Sequence, residues 1–387
     1  MNRIQPFLNL IAVVASVLVL SWIASSLWGG KSEEFRLPDR IAATPEMTLQ
    51  SFQEVNELPD KVMAKLFGQD PGNRARTLGE LAPNMERLSA DALAALAVAK
   101  EHETKSWVKI SIKFTLWFVF LGFAFRMMVR QKVTASNRKG LYLASFAVFG
   151  VILGSDPSPM GTVKDAVALF AKSGAIFPPR MVALAVFLIL VIVANKFICS
   201  WGCQLGTLQD FIFRLGRNKR DNGHGDVRQW RIPFVVSNGI RVLSFTVFIV
   251  IAFAWALDII GLVDPFKVFH PSVLSAAGAV FVGLLLLGSL VVYRPWCHLF
   301  CPFGLVGWIA EKLAVYRIRV DYDKCVACGK CEAACPSHVM NAILRRNRRT
   351  IPDCFSCGTC VEVCPTKAIS FSHGRRNLPP TGKFKQD

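Results

Sequence analysis

Cys325-Val-Ala-Cys328-Gly-Lys-Cys331-Glu-Ala-Ala-Cys335-Pro336 and Cys354-Phe-Ser-Cys357-Gly-Thr-Cys360-Val-Glu-Val-Cys364-Pro365 repeat one pattern, C-x2-C-x2-C-x3-C-P. Three thiolates spaced two residues apart wrap a tight loop round one face of a cubane. Gly329 and Gly358 let that loop turn where a β-carbon would crowd it. The fourth cysteine, before proline, reaches across to the other loop. The spacing therefore predicts two [4Fe–4S] clusters. Cys325, Cys328, Cys331 and Cys364 hold the first, and Cys354, Cys357, Cys360 and Cys335 hold the second. Structural zinc needs one tetrahedral set, usually built from spaced pairs, so two four-cysteine runs fit it poorly.

Run and spacing are those of the bacterial two-cluster ferredoxins, which implies a C-terminal α+β domain over about residues 317–373, followed by a basic tail, 374–387. Crossed ligation ties its halves together, so metal binding and folding are coupled there.

Upstream the composition changes. Of 387 residues, 52% are hydrophobic and only 19% charged, with 29 Phe against 4 Tyr. A single soluble globule would have to hide more apolar surface than its charges can cover, and a disordered chain is excluded. A membrane-crossing helix needs about 20 apolar residues. Six stretches are read as spans: Pro6–Trp28, Val108–Met128, Leu141–Ser155, Met181–Ile198, Phe234–Leu257 and Val273–Val292. The reading divides the chain into an N-terminal anchor (1–30), a periplasmic helical segment (31–106) and a membrane domain (107–316). In the helical segment Thr48, Pro59 and Ser89 are candidate helix starts.

The net charge of +18 follows the positive-inside rule rather than nucleic-acid binding. Arg126, Arg130, Lys132, Arg138 and Lys139, then Arg214, Arg217, Arg228 and Arg231, then Arg345, Arg375 and Arg376 fall on one side if both termini are cytoplasmic. The expectation is a multi-pass protein of the bacterial inner membrane, N-in and C-in, with every cysteine on the reducing side.

Four further cysteines form two pairs beside predicted spans, Cys199-Ser-Trp-Gly-Cys203 and Cys297-His-Leu-Phe-Cys301-Pro302. Lys196 and Arg294 stand three residues before each pair, and Gly206 and Gly304 three after. Asp156-Pro157 and Asp264-Pro265 mark corresponding outer turns. Together these suggest a two-fold internal repeat of span, outer turn, span and cysteine pair. Spacing of i and i+4 would put each pair on one helix face. The four thiols then make a further iron–sulfur or metal site at the membrane surface; redox thiols and simple packing are the competing readings. His298 and His270 are read as interfacial rather than haem ligands, since no span interior carries a histidine.

C-x3-C and C-x3-C-P beside spans, followed by two ferredoxin runs, resemble the NapH-type membrane ferredoxins and the related NosR-type and CcoG-type proteins. Cys199-Ser-Trp-Gly-Cys203-Gln-Leu-Gly-Thr-Leu-Gln-Asp210 is especially similar to the first NosR-type motif. The resemblance covers about residues 141–372. It implies an α-helical membrane protein of about six spans that relays single electrons between a quinone pool, or a cytoplasmic donor, and an envelope redox partner. It also implies an electron-transfer subunit without a catalytic residue of its own, in complex with a reductase or cytochrome. A maturation factor supplying electrons to a metal centre, or a redox-sensing regulator, would use the same cofactors. Gln204 departs from the proline usual in the family, and the segment 31–106 does not look like the NosR-type flavin domain.

Overall fold

The computed structural model describes residues 4–28, 38, 40–68, 75–82, 84–103, 106–155, 157–217, 221, 225, 227–345 and 353–384. Asp156, the acid of the first Asp-Pro turn, lies outside them. The chain is mostly helical.

Helix α1 (Gln5–Trp28) is apolar along its whole length. A group of short helices follows: α2 (Leu49–Val55), α3 (Asp60–Phe67), α4 (Leu78–Leu81) and α5 (Met85–Glu103). Thr48 caps α2, its hydroxyl accepting from Ser51 N at 3.2 Å, and α3 runs from Pro59 to a left-handed Gly68. Ser89 does not start a helix. Asn84 does, accepting from Arg87 N at 3.0 Å, while the Ser89 hydroxyl donates to Ile41 O at 2.9 Å. The spacing favoured Ser89, yet Met85 and Leu88 extend the apolar face one turn earlier. These helices bury their own core of Ile41, Phe52, Val62, Leu78 and Leu96.

Next come α6 (Trp107–Val129) and α7 (Ala135–Ala144), the latter opened by a Thr134/Asn137 capping box. The stretch read as one span from Leu141 continues as a π-helical turn, Ser145–Ile152. Gly150 is needed in that turn because a Cβ would stand 2.5 Å from the Phe269 ring. Then follow α8 (Pro159–Ser173), α9 (Pro178–Ala194), α10 (Phe197–Trp201), α11 (Gln204–Leu215), α12 (Phe234–Trp255), α13 (Ile259–Leu262), α14 (Ala276–Gly288), α15 (Pro295–Leu299) and α16 (Pro302–Ala310). Among the described residues, three helices are long and apolar enough to cross a membrane: Gln5–Leu27, Trp107–Val129 and Phe234–Trp255; Pro178–Ala194 and Ala276–Gly288 are shorter apolar helices.

The cysteine-rich end is bracketed by a two-stranded antiparallel sheet. Strand β1 (Tyr316–Val320) pairs with β2 (Ile369–His373), from Tyr316 opposite His373 to Val320 opposite Ile369. Both cysteine runs lie between these strands, with helices α17 (Lys330–Ala334), α18 (Val339–Leu344) and α19 (Thr359–Glu362). The sheet docks on the end of α6. Phe125 meets the rings of Tyr316 and Phe371 edge-on at 5.1 and 5.7 Å, and Phe197 stacks on Phe371 at 6.2 Å. Such aromatic pairs add about 0.5–1.5 kcal/mol each beyond the area they bury.

Trp117 on α6 donates its indole N–H to Gly202 O at 2.8 Å. A Cβ on Gly202 would sit 2.7 Å from that ring. Gly202→Ala therefore overpacks the α6–α10 contact and should cost about 1–3 kcal/mol, read as a lowered Tm in detergent.

Candidate iron–sulfur sites

Two cavities sit under the strands. The first is lined by Cys325, Cys328, Cys331 and Cys364 with Val320, Leu344 and Ile369. The second is lined by Cys335, Cys354, Cys357 and Cys360 with Ile318, Met340 and Phe355. Each cavity thus collects three cysteines of one run and the fourth of the other. No disulfide joins any of the twelve cysteines.

Local backbone explains how short runs enclose such spaces. Gly329 and Gly358, with φ of +71° and +78°, open α17 and α19 in the left-handed region, where glycine carries no steric penalty. Gly358 has a second reason: its Cβ would lie 2.7 Å from the Met128 sulfur. Ala327 and Ser356, two residues upstream, are also left-handed, at +53° and +51°. Sequence reading missed both. Nothing in an alanine or serine advertises that conformation, which costs about 1–3 kcal/mol and persists only where its surroundings impose it. At Ser356 those surroundings are visible: Trp201 Nε1 donates to its carbonyl at 3.1 Å and Asn195 Nδ2 to its hydroxyl at 3.4 Å.

The donor set fits a thiolate-binding cluster. Burial pushes the Cys331 and Cys354 thiols up to about 12, so the pockets in themselves disfavour the ligating form. Bound iron offsets that cost, which couples loading to folding. Hydrogen bonds to sulfur are in place as well. Ala368 N donates to Cys364 Sγ at 3.3 Å, and the hydroxyls of Thr366 and Ser337 lie 3.7 and 3.9 Å from Cys364 and Cys335. Cys357 behaves differently. Burial again works to raise its thiol, but the Arg214 guanidinium, then Arg138, and the Thr359 hydroxyl at 3.3 Å outweigh it and hold the thiol below its ordinary value.

The other four cysteines also come together. Cys199, Cys203, Cys297 and Cys301 lie within mutual electrostatic reach at the junction of α10, α11, α15 and α16. The expectation that each pair rides one helix face is corrected. Cys199 lies in α10, but Cys203 is the N-cap of α11 in extended conformation; Cys297 lies in α15, and Cys301 is the N-cap of α16. In the second pair Pro302 at the first helical position has no N–H with which to continue α15. The Cys301 sulfur accepts from Gly304 N at 3.4 Å, a thiol in the place of a serine cap. A Cβ on Gly206 would lie 2.5 Å from Cys199 O, and one on Gly304 2.8 Å from Cys297 O, which explains both glycines.

Two buried ion networks join this quartet to the second cavity. Asp210 on α11 receives Arg214 Nε at 2.6 Å, Arg294 Nη2 at 2.5 Å and the Tyr293 hydroxyl at 2.8 Å. Arg294 also donates to Cys199 O at 2.7 Å, and Arg214 Nη2 to Thr359 Oγ1 at 3.3 Å. Asp353, just before Cys354, binds Lys196 Nζ at 2.5 Å and Arg241 Nη1 at 2.8 Å. Lys196 continues to Gly304 O at 2.7 Å, and Arg241 to Cys297 O at 3.3 Å. Burial opposes ionisation of Asp353, but Lys196 and then Arg241 overcome it and hold the carboxyl down to about 2. His298, expected at an interface, is half-buried, with Nδ1 3.8 Å from Asp353 and its ring edge-on to Phe355. His270 Nε2 meets Gly154 O at 3.0 Å. Apart from Asp210–Arg214, four residues apart on α11, these ion pairs join partners distant in sequence, up to 157 residues for Lys196 and Asp353, so spacing does not reveal them.

Among known families, a 4Fe-4S dicluster domain matches residues 318–371. A 4Fe-4S binding domain matches twice, over 176–222 and 274–320, the two segments that carry the C-x3-C pairs. YccM of Escherichia coli (strain K12), by its name a candidate electron transport protein, is 30% identical over 169 residues, covering 41% of this chain and 46% of that protein. The matched region thus spans less than half of YccM. The uncharacterized protein MJ0749 of Methanocaldococcus jannaschii is 22% identical over 231 residues, 59% of this chain and 82% of that protein. No solved structure gives a comparable match. The cysteine runs, their cavities and the family matches together define an iron–sulfur protein carrying two [4Fe–4S] clusters.

Cys364→Ser should remove about four of the roughly eight irons of the C-terminal domain, with the loss falling on the first cavity although Cys364 belongs to the second run. Iron analysis with EPR of the reduced protein checks it. Asp353→Asn leaves Lys196 and Arg241 buried without their carboxylate and should cost about 3–5 kcal/mol, measured by thermal unfolding in detergent.

Proposed function

We propose that the chain is an integral inner-membrane protein that relays single electrons, working as a subunit or partner of a quinone-linked redox system rather than as a complete enzyme. Its proposed ligand sets are Cys325, Cys328, Cys331 and Cys364, then Cys335, Cys354, Cys357 and Cys360, and a third iron–sulfur site at Cys199, Cys203, Cys297 and Cys301. The observation that carries the reading is the pair of ion networks. Asp353 and Asp210 link the second cavity to both halves of the quartet through buried hydrogen bonds. A purely structural ferredoxin-like domain would have no need of so rigid a seat on the apolar helices.

When bound, the clusters supply one-electron transfer. The protein's own residues hold and insulate them. Ile318 and Met340 line the second cavity with hydrocarbon, while the first comes to the surface at the exposed Cys328. A cytoplasmic donor would reach the first set and the lipid-embedded half would meet the quartet.

Six spans in two related halves, N-in and C-in, with domain limits near residues 30, 106, 316 and 373, complete the proposal. It is supported by the paired matches over 176–222 and 274–320, by the three long apolar helices and by the name given to YccM. Kinship with NapH-type, NosR-type and CcoG-type proteins is the narrowest form of the same reading.

Cys199→Ser combined with Cys297→Ser should lower the iron content of detergent-purified protein below that of the parent chain. Unchanged iron would reject the third site. A C-terminal tag should become accessible to protease only after the inner membrane is breached; cleavage in intact spheroplasts would overturn the topology.

A further inference from the structure

The two cysteine loops share one spacing and one glycine position, but they differ at the residue after each Cys-Gly. After Cys328-Gly329 the first loop has Lys330, exposed to solvent; after Cys357-Gly358 the second has Thr359, fully buried. The Thr359 hydroxyl lies 3.3 Å from Cys357 Sγ and accepts from Arg214 Nη2 at 3.3 Å. Arg214 is itself buried and fixed by Asp210 at 2.6 Å and by Asp221, which also binds Arg138 at 2.7 Å. The groups turned toward this side of the second cavity are Arg214 on α11, Arg217 just after it, Arg138 on α7 and Arg294 before α15. Asp210, Asp221 and Glu362 face them. By residue type, cations outnumber carboxylates there.

We propose that Arg214, acting through Thr359, is a positioning residue that raises the reduction potential of the cluster held by Cys335, Cys354, Cys357 and Cys360. The inference rests on the ligand sets proposed above. Its physical basis is simple. One-electron reduction adds a negative charge to a group already anionic through four thiolates. In a buried site that extra charge is costly, and burial alone would make this cluster hard to reduce. A fixed guanidinium and a hydroxyl donated to a ligand sulfur both favour the reduced form. The first cluster gains solvation from its exposed edge instead, and solvent screens Lys330. Arg214 thereby keeps the buried, membrane-facing cluster within electron-exchanging range of the exposed one.

The experiment is a redox titration of the full chain in detergent, with dithionite as reductant and mediators present, followed by EPR. Thr359→Val is close to isosteric, leaves the Arg214–Asp210 pair in place and removes the hydroxyl. Arg214→Gln removes the charge, and Arg214→Lys keeps it. In Thr359→Val the distribution of one electron between the clusters should shift away from the second by about tenfold, equivalent to about 59 mV, with the first cluster unmoved. Arg214→Gln should shift it further, and Arg214→Lys should recover part of the difference. Both clusters present at parental potentials in Thr359→Val would overturn the proposal, even if Arg214→Gln failed to fold. A parent chain without two EPR-active clusters would instead sink the ligand assignment beneath it.

Discussion

One carboxylate, Asp353, holds the cysteine-rich end to the apolar helices. It is sealed between Lys196 and Arg241, and both cations continue to backbone oxygens at the second cysteine pair, Gly304 O and Cys297 O. Taking these charges out of water is expensive, and well-packed apolar side chains would often be as stable. The arrangement contributes specificity more than strength. Hydrophobic contact between Phe125 and the β1–β2 sheet tolerates sliding, whereas a carboxylate facing two fixed cations has one acceptable seat. Displacement by a few ångströms would leave a buried charge without a counter-ion.

The cysteine pattern was legible because cluster ligation is mostly local. Three of four thiols in each set lie within seven consecutive residues, and the exchange of the fourth follows from the terminal Cys-Pro. Gly329 and Gly358 were legible for the same reason: a left-handed turn leaves its mark in residue choice. Ala327 and Ser356 adopt the same conformation without that mark, because contacts from Trp201 and Asn195 impose it at Ser356. Helix starts at Thr48 and Pro59 could be read from cap chemistry, whereas Ser89 was misleading because a serine facing a distant carbonyl looks like a cap in sequence. The apolar stretch from Leu141 was visible as hydrophobic, but not its π-helical turn, which depends on the Phe269 ring lying against Gly150.

The C-x3-C pairs show how spacing alone can mislead. Four residues along one helix would place both sulfurs on one face. The chain instead breaks between them, so the second cysteine of each pair sits at a new helix N-terminus. That geometry turns the partial positive charge of α11 and α16 toward the quartet, a setting that favours anionic sulfur more than a continuous helix would. Gly206 and Gly304 then follow from the close approach of each new helix to the carbonyl of the first cysteine. The regular spacing is thus the trace of a break between two short helices.

The two related segments also exchange their cations. Arg294, before the second pair, caps the carbonyl of Cys199 in the first; Lys196, before the first pair, reaches Gly304 O after the second. Each half therefore completes the other's hydrogen bonding. Neither cation is left to compete with the thiols for water, and neither half keeps its polar groups satisfied alone. Asp210 and Asp353 close the exchange on the side of the cysteine-rich domain, so the quartet and the second cavity share one set of counter-ions. A change of charge in either place is felt in the other through fixed, buried groups, where screening by solvent is weak.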